Sequence, residues 1–166
     1  MGLFSFIKNA GAALGIGKST KEEAAEAAAE KAASIKAANE KAASKMVETV
    51  SDLGLDVENM QVSISGDTAT ITGLAANQST KEKAILVVGN TEGIAQVDDQ
   101  MDVKEQEPEA SFHTVESGDT LSKIAKKVYG DAMKYPVIFE ANKPMLKHPD
   151  KIYPGQVLRI PTISDL

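Results

Sequence analysis

Apolar positions along the chain change their spacing several times, and each change marks a structural boundary. Met46, Val47, Val50 and Leu53 recur at helical spacing, and Gly54 closes that run. Met60, Val62 and Ile64 then alternate with Gln61 and Ser63 in the period of two that a half-buried strand requires. Ser65-Gly66-Asp67 is a turn signal, so Thr68 to Gly73 is expected to return as an antiparallel second strand. Ser79 and Glu82 have the spacing of a capping box at the head of a helix that carries Ala84, Ile85 and Val88 and stops at Gly89. Ile94 to Val103 reads as a third strand. The predicted order over residues 40–104 is α-β-β-α-β.

A charged stretch containing Pro108 follows and is expected to be an exposed linker over 105–111. Beyond it, Phe112 to Val115 form a short strand. Asp119 is placed to cap a helix beginning at Thr120, whose apolar face holds Leu121, Ile124, Ala125 and Val128. A second helix runs through Ile138, Phe139 and Ala141. Proline is tolerated only in a first turn, so Pro136 sets its start at about Tyr135 or Pro136. Gln156 to Pro161 is the closing strand, which gives β-α-α-β over 112–162. The fold class expected is therefore α+β, in two small domains.

Two segments precede these domains. In residues 1–17, Leu3, Ile7, Ala10 and Leu14 fall on one helical face and Gly11 can stop a helix, so a short amphipathic helix packed on the domain is expected. Residues 18–39 are alanine-rich, low in large apolar side chains, and opened by Ser19 with Glu22 three positions later. This run should be a solvated helical extension, with a partner-binding or oligomerising helix as the alternative. EKAAS occurs twice, ten residues apart, a spacing that does not return to one helix face.

Composition then narrows the chemistry. There is no cysteine, and the two histidines, His113 and His148, are far apart, so thiolate chemistry is absent and a zinc site is not expected. Asp98, Asp99 and Asp102 lack the calcium-loop pattern and read as a solvated acidic strand end. The net charge of -6 and pI near 5.0 argue against a nucleic-acid surface. No nucleophile, paired carboxylate or phosphate loop has a recognisable arrangement, so an enzyme is not expected. Lys8 interrupts the opening apolar run, Ser5 and Asn9 break it further, and Phe6 stands where myristoylation needs Ser or Thr. Neither export nor a membrane span is expected, and the reading is a cytoplasmic monomer.

DTATITG in the hairpin and GIAQVDDQ entering the third strand resemble the BON domain, over about Glu40 to Lys104. That resemblance implies a binding module with lipid or ligand contact and no catalytic residues. VESGDTLSKIA, IFEANK and IYPGQVLRIP resemble a LysM domain over about Phe112 to Thr162. A LysM domain implies a groove for N-acetylglucosamine-containing glycans such as peptidoglycan. By motif that groove holds Gly118, Asp119, Thr120 and Leu121, faced by Asn142, Ile152, Pro154 and Gly155. Each also has a structural role available, with Asp119 as a cap, Leu121 in the core and Gly155 in a turn.

The pairing of a BON domain with a C-terminal LysM domain behind MGLFSFIKNAG resembles the small cytoplasmic potassium-binding proteins of bacteria. It implies a potassium sensor or buffer in which the LysM domain docks on the BON domain. The residues supply a physical basis for such a site. Helices stopped at Gly11 and Gly89 leave carbonyls unpaired at the negative ends of their dipoles, and a cage of neutral oxygens suits a large monovalent cation. The expected potassium ligands are the backbone carbonyls of Ile7, Ala10, Ala12, Gly89, Thr91 and Gly93. The alternative is a peptidoglycan-type glycan-binding LysM module.

Overall fold

Strong helix formers with no glycine or proline between them carry the alanine-rich run straight into the first apolar helix. In the computed structural model, which describes residues 2–5 and 21–162, this helix is α1, Lys21–Asp52, 32 residues long. Ala29 to Ala38 are exposed, whereas Ala43, Met46 and Val50 are buried on the domain. The helix ends at Gly54, whose φ of 73° needs a residue without a Cβ.

Two strands follow, β2 (Val57–Ser65) and β3 (Thr68–Asn77), paired antiparallel with Ser65 opposite Thr68. Helix α2 (Gln78–Gly89) then crosses over, so that β4 (Gln96–Glu105) lies parallel to β3 with Thr68 opposite Gln96. Met46 and Val50 of α1 meet Ile85 and Val88 of α2, and Ile71, Val97 and Met101 of the sheet, in one apolar core.

Two local expectations are corrected in this domain. The N-cap of α2 is Asn77, whose Oδ1 accepts the Thr80 N–H at 2.8 Å, so Ser79 and Glu82 form no capping box. Asp99 is not a solvated strand end: it is 3 % exposed, 2.9 Å from Lys81 Nζ, and accepts the Met101 N–H. Opposite-charge burial of this kind is stable only when both partners are present.

The opening segment also departs from expectation. Gly2–Ser5 is a strand, β1, antiparallel to β4 with Gly2 opposite Asp99 and Ser5 opposite Gln96. It completes a sheet of order β1-β4-β3-β2. Leu3 therefore alternates with Phe4 rather than lining a helix face, and its side chain is 65 % exposed. The open edge of β4 offers four residues of backbone pairing, which overrides the weak helical pattern of so short a run. Ile7, Ala10, Gly11 and Leu14 lie outside the described residues.

In the second domain β5 (Ser111–Thr114) pairs antiparallel with β6 (Val157–Ile160). Between them lie α3 (Leu121–Tyr129), a 3₁₀ turn at Ala132–Lys134, and α4 (Tyr135–Ala141) with Pro136 in its first turn. The N-cap of α3 is Thr120, which accepts the Lys123 N–H at 3.2 Å, and not Asp119. Leu121, Ile124, Ala125, Ile138, Leu158 and Ile160 form a separate core, while Val128 stays outside it at 44 % exposure.

A bulge between Glu58 and Gln61 presses β2 against Gly73, which has φ 144° and no room for a side chain. A Cβ there would sit 2.9 Å from Val57 Cγ1 and 3.1 Å from the Glu58 carbonyl oxygen. Gly73→Ala is expected to cost about 2 kcal/mol or more through combined strain and overlap. Urea unfolding followed by circular dichroism measures it, and an unchanged midpoint would contradict the packing described.

Candidate functional site

Charged side chains in otherwise apolar patterns lie where the two domains meet. Glu82 occupies the inner face of α2 and Arg159 interrupts the apolar strand Val157–Ile160. Arg159 Nε donates to Glu82 Oε2 at 2.5 Å, with side chains only 10 % and 3 % exposed. The other carboxylate oxygen accepts Gln78 Nε2 at 2.9 Å and the Ala110 N–H at 3.0 Å. Glu82 thus collects helix α2, the linker and strand β6 on one group. The linker is tied down at its far end, since Ala110 is buried. Burial, and secondly the positive Arg159, push the Lys83 ammonium below its ordinary range. Phe4 of β1 meets Phe112 of β5 edge to face, with centroids 5.3 Å apart.

A second seam contact carries the geometry of the expected ion loop. Asn90 caps the C-terminus of α2, and its side chain spans to Val157: Oδ1 accepts the Val157 N–H at 2.8 Å and Nδ2 donates to the Val157 carbonyl at 2.9 Å. This clamp sets the loop Gly89–Gly93 against Tyr153, Pro154 and Gly155, leaving a cleft of about 30 Å³. Such a space admits a single ion or a water or two but no sugar ring.

Carbonyl accounting in that loop is informative. Val88 O accepts the Thr91 N–H and Thr91 O accepts the Ile94 N–H, each at 3.2 Å. Among the described residues no hydrogen bond reaches the carbonyls of Gly89, Glu92 or Gly93. Gly93 has φ 91°, which turns the loop sharply. The register of β1 adds a topological fact: Ser5 pairs with Gln96, so the chain leaves β1 at the same end of the sheet where this loop enters β4. Ile7, Ala10 and Ala12, the other expected ligands, are outside the described residues.

The eight positions of the expected glycan groove are divided. Gly118 and Thr120 are exposed. Asp119 accepts the Glu116 N–H and pairs with His113, each at 3.0 Å, and these contacts, the Glu116 N–H first, hold its carboxyl below the usual range. Leu121 is a core residue at 2 % exposure, as α3 periodicity requires. Asn142 is 1 % exposed: its Oδ1 accepts the Arg159 N–H at 2.7 Å and its Nδ2 donates to the carbonyls of Arg159 and Ile138. Neither can line a groove, because both are consumed inside the domain. Ile152 packs against that core, and Pro154 and Gly155 face the loop Gly89–Gly93.

Sequence reading missed Glu82, Arg159 and Asn90. A signal existed for the first two, since Glu82 shares a helix face with Ile85 and Gly89 and Arg159 sits mid-strand among apolar residues. For Asn90, next to a helix-ending glycine, nothing in the pattern separated a cap from a clamp.

Comparisons with known proteins find two family models on the chain. The BON domain family model matches residues 38–105 and the LysM domain family model residues 113–161. The chain is 46 % identical over 165 residues to the potassium binding protein Kbp of Escherichia coli O6:H1, covering 97 % of this chain and 99 % of that one. A protein of Deinococcus radiodurans described as uncharacterized is 47 % identical over 58 residues, 35 % of this chain and 22 % of its own length.

Two predictions follow from the seam and the LysM loop. Arg159→Met leaves Glu82 buried and unpaired, and should cost about 3 kcal/mol. Glu82→Gln with Arg159→Met should cost less than the sum of the single changes, and a double-mutant cycle with zero coupling would contradict the pairing. For Asp119, a depressed folded-state pKa means stability present above the ordinary carboxylate value and lost as pH falls through the lowered one. Asp119→Asn should therefore lower the melting temperature at neutral pH and converge with the parent protein in acid. Parallel melting curves offset equally at every pH would count against it.

Proposed function

The chain belongs to the BON and LysM family of the Escherichia coli potassium binding protein, and from that premise we propose that it binds one dehydrated potassium ion through backbone carbonyls, as a cytoplasmic sensor or buffer. The proposed ligands are the carbonyls of Gly89, Thr91 and Gly93 with those of Ile7, Ala10 and Ala12, and the LysM domain docks over the loop. The observation that carries this reading is the end of α2, where the carbonyls of Gly89 and Gly93, unpaired among the described residues, and a left-handed glycine border a small cleft near the exit of β1.

The chemistry of such a site favours potassium over divalent ions. Neutral carbonyl dipoles can replace the hydration shell of a large monovalent cation, whereas calcium and magnesium draw on carboxylates. Among the described residues no group of three or more His, Asp or Glu side chains converges on a metal position. The glycan alternative is supported by the LysM resemblance and by the exposed Gly118 to Thr120 loop. It ranks second because Leu121 and Asn142 are buried and Pro154 and Gly155 are turned to the BON loop.

Calorimetry tests the reading. Potassium is expected to give saturable heat, with none from calcium, magnesium or an N-acetylglucosamine oligomer. Thr91→Ala should bind nearly as the parent protein, because main-chain ligation does not use the side chain. Gly93→Val should weaken binding about tenfold or more, since φ 91° is strained for a β-branched residue although the space beside it is open. Deleting residues 6–12, which leaves the β1 residues in the chain, should abolish binding. Full potassium affinity in that deletion, or heat from the divalent ions alone, would falsify the proposal.

A further inference from the structure

The outer edge of β6 is covered by two side chains rather than by a strand. Residues Val157 and Arg159 alternate with Leu158 and Ile160, so their N–H and C=O groups point away from β5. Asn142 satisfies both groups of Arg159, and Asn90 satisfies both groups of Val157. Asn142 belongs to the LysM domain itself, but Asn90 belongs to the BON domain and stands inside the loop Gly89–Gly93. Each carboxamide therefore acts as a one-residue β-partner, and one of the two crosses the seam.

We propose that Asn90 is a positioning residue that couples cation binding to LysM docking, a deepening that rests on the cation reading above. The backbone of Asn90 is fixed by helix α2, its N–H donating to Leu86 O at 2.9 Å, and its neighbours Gly89 and Thr91 are the proposed ligands. Val157 lies two residues beyond Gly155, so holding Val157 holds Tyr153 to Gly155 over the cleft. A carboxamide is required: Oδ1 and Nδ2 match one acceptor and one donor need, which neither a carboxylate nor a hydroxyl reproduces. When the loop carbonyls gather around an ion, Asn90 is set in the orientation that bonds Val157. When the LysM strand is bonded, the loop is held in its ion-binding shape. By linkage each event must strengthen the other by the same factor.

The test uses the full chain with Asn90→Ala and Asn90→Asp. The parent protein has no cysteine, so Glu48→Cys with Lys147→Cys, both exposed positions, gives a labelled pair across the domains. With saturating potassium the parent should show one narrow distance between spin labels. Asn90→Ala should show a broad distribution and a potassium Kd weaker by about tenfold, the scale of losing two hydrogen bonds across a seam. Asn90→Asp, which keeps the acceptor but cannot donate, should fall in the same direction while its helical circular dichroism shows it folded. A merely structural contact would lower the melting temperature while leaving both affinity and distance unchanged, and that result in either variant overturns the coupling role. Absence of potassium binding in the parent protein would instead overturn the cation reading, and the coupling with it.

Discussion

A two-stranded sheet leaves backbone groups with no strand to pair with, and the way β6 meets that requirement governs how the two domains sit together. Buried N–H and C=O groups must be satisfied. Here Asn142 and Asn90 provide the partners, and the side chain of the intervening Arg159 is taken by Glu82. The outer edge of β6 is thus held at Arg159 by its own domain and at Val157 by the end of α2 of the BON domain. The Glu82 carboxylate serves Arg159, Gln78 and the linker N–H of Ala110 at once. Removing Glu82 or Arg159 would leave the other charge buried without its partner, which penalises separation.

Periodicity gave the regular elements because the apolar spacing of α1, β2, β3, α2 and α3 is set by which face meets a core, and that face is local to each element. Legibility ended where a residue's role depends on something remote in sequence. Glu82 looks like the third position of a capping box and is an anchor for a residue 77 positions away. Asn142 belongs to a motif that suggests a groove, yet it closes a strand edge. Leu3 to Leu14 fit a helical face on paper, but Gly2–Ser5 pairs with β4, because an open edge offers backbone bonds that a four-residue helix cannot make. The helix end at Gly89 and the sharp turn at Gly93 were legible from the glycines themselves. That a LysM loop would roof the same place was not, since no local pattern records which surfaces of two domains meet.

The seam also explains why a strongly kept LysM motif need not mean an open groove. The residues that make the motif recognisable are mostly those that build the domain: Leu121 in the core, Thr120 as a cap, Asn142 on β6, Gly155 at φ 89° in the turn before it. The fold alone requires them. What distinguishes one use from another is the neighbour presented to the loop Tyr153–Gly155, and here that neighbour is the end of α2.

The short strand β1 ties the remaining part of the chain to this arrangement. Four residues of edge pairing are weak by themselves, and Leu3 contributes little burial. The contact that adds to them is Phe4 against Phe112, and Phe112 belongs to the LysM domain. Holding β1 therefore depends partly on LysM being in place, through an aromatic pair whose two rings are carried by different domains. Because β1 leaves the sheet beside the loop that precedes β4, its retention fixes where the following segment begins. The opening strand, the end of α2 and the LysM strand meet across one seam. Through Phe4, Glu82 and Asn90 they share partners, so an ion bound at the proposed site would act on all three together.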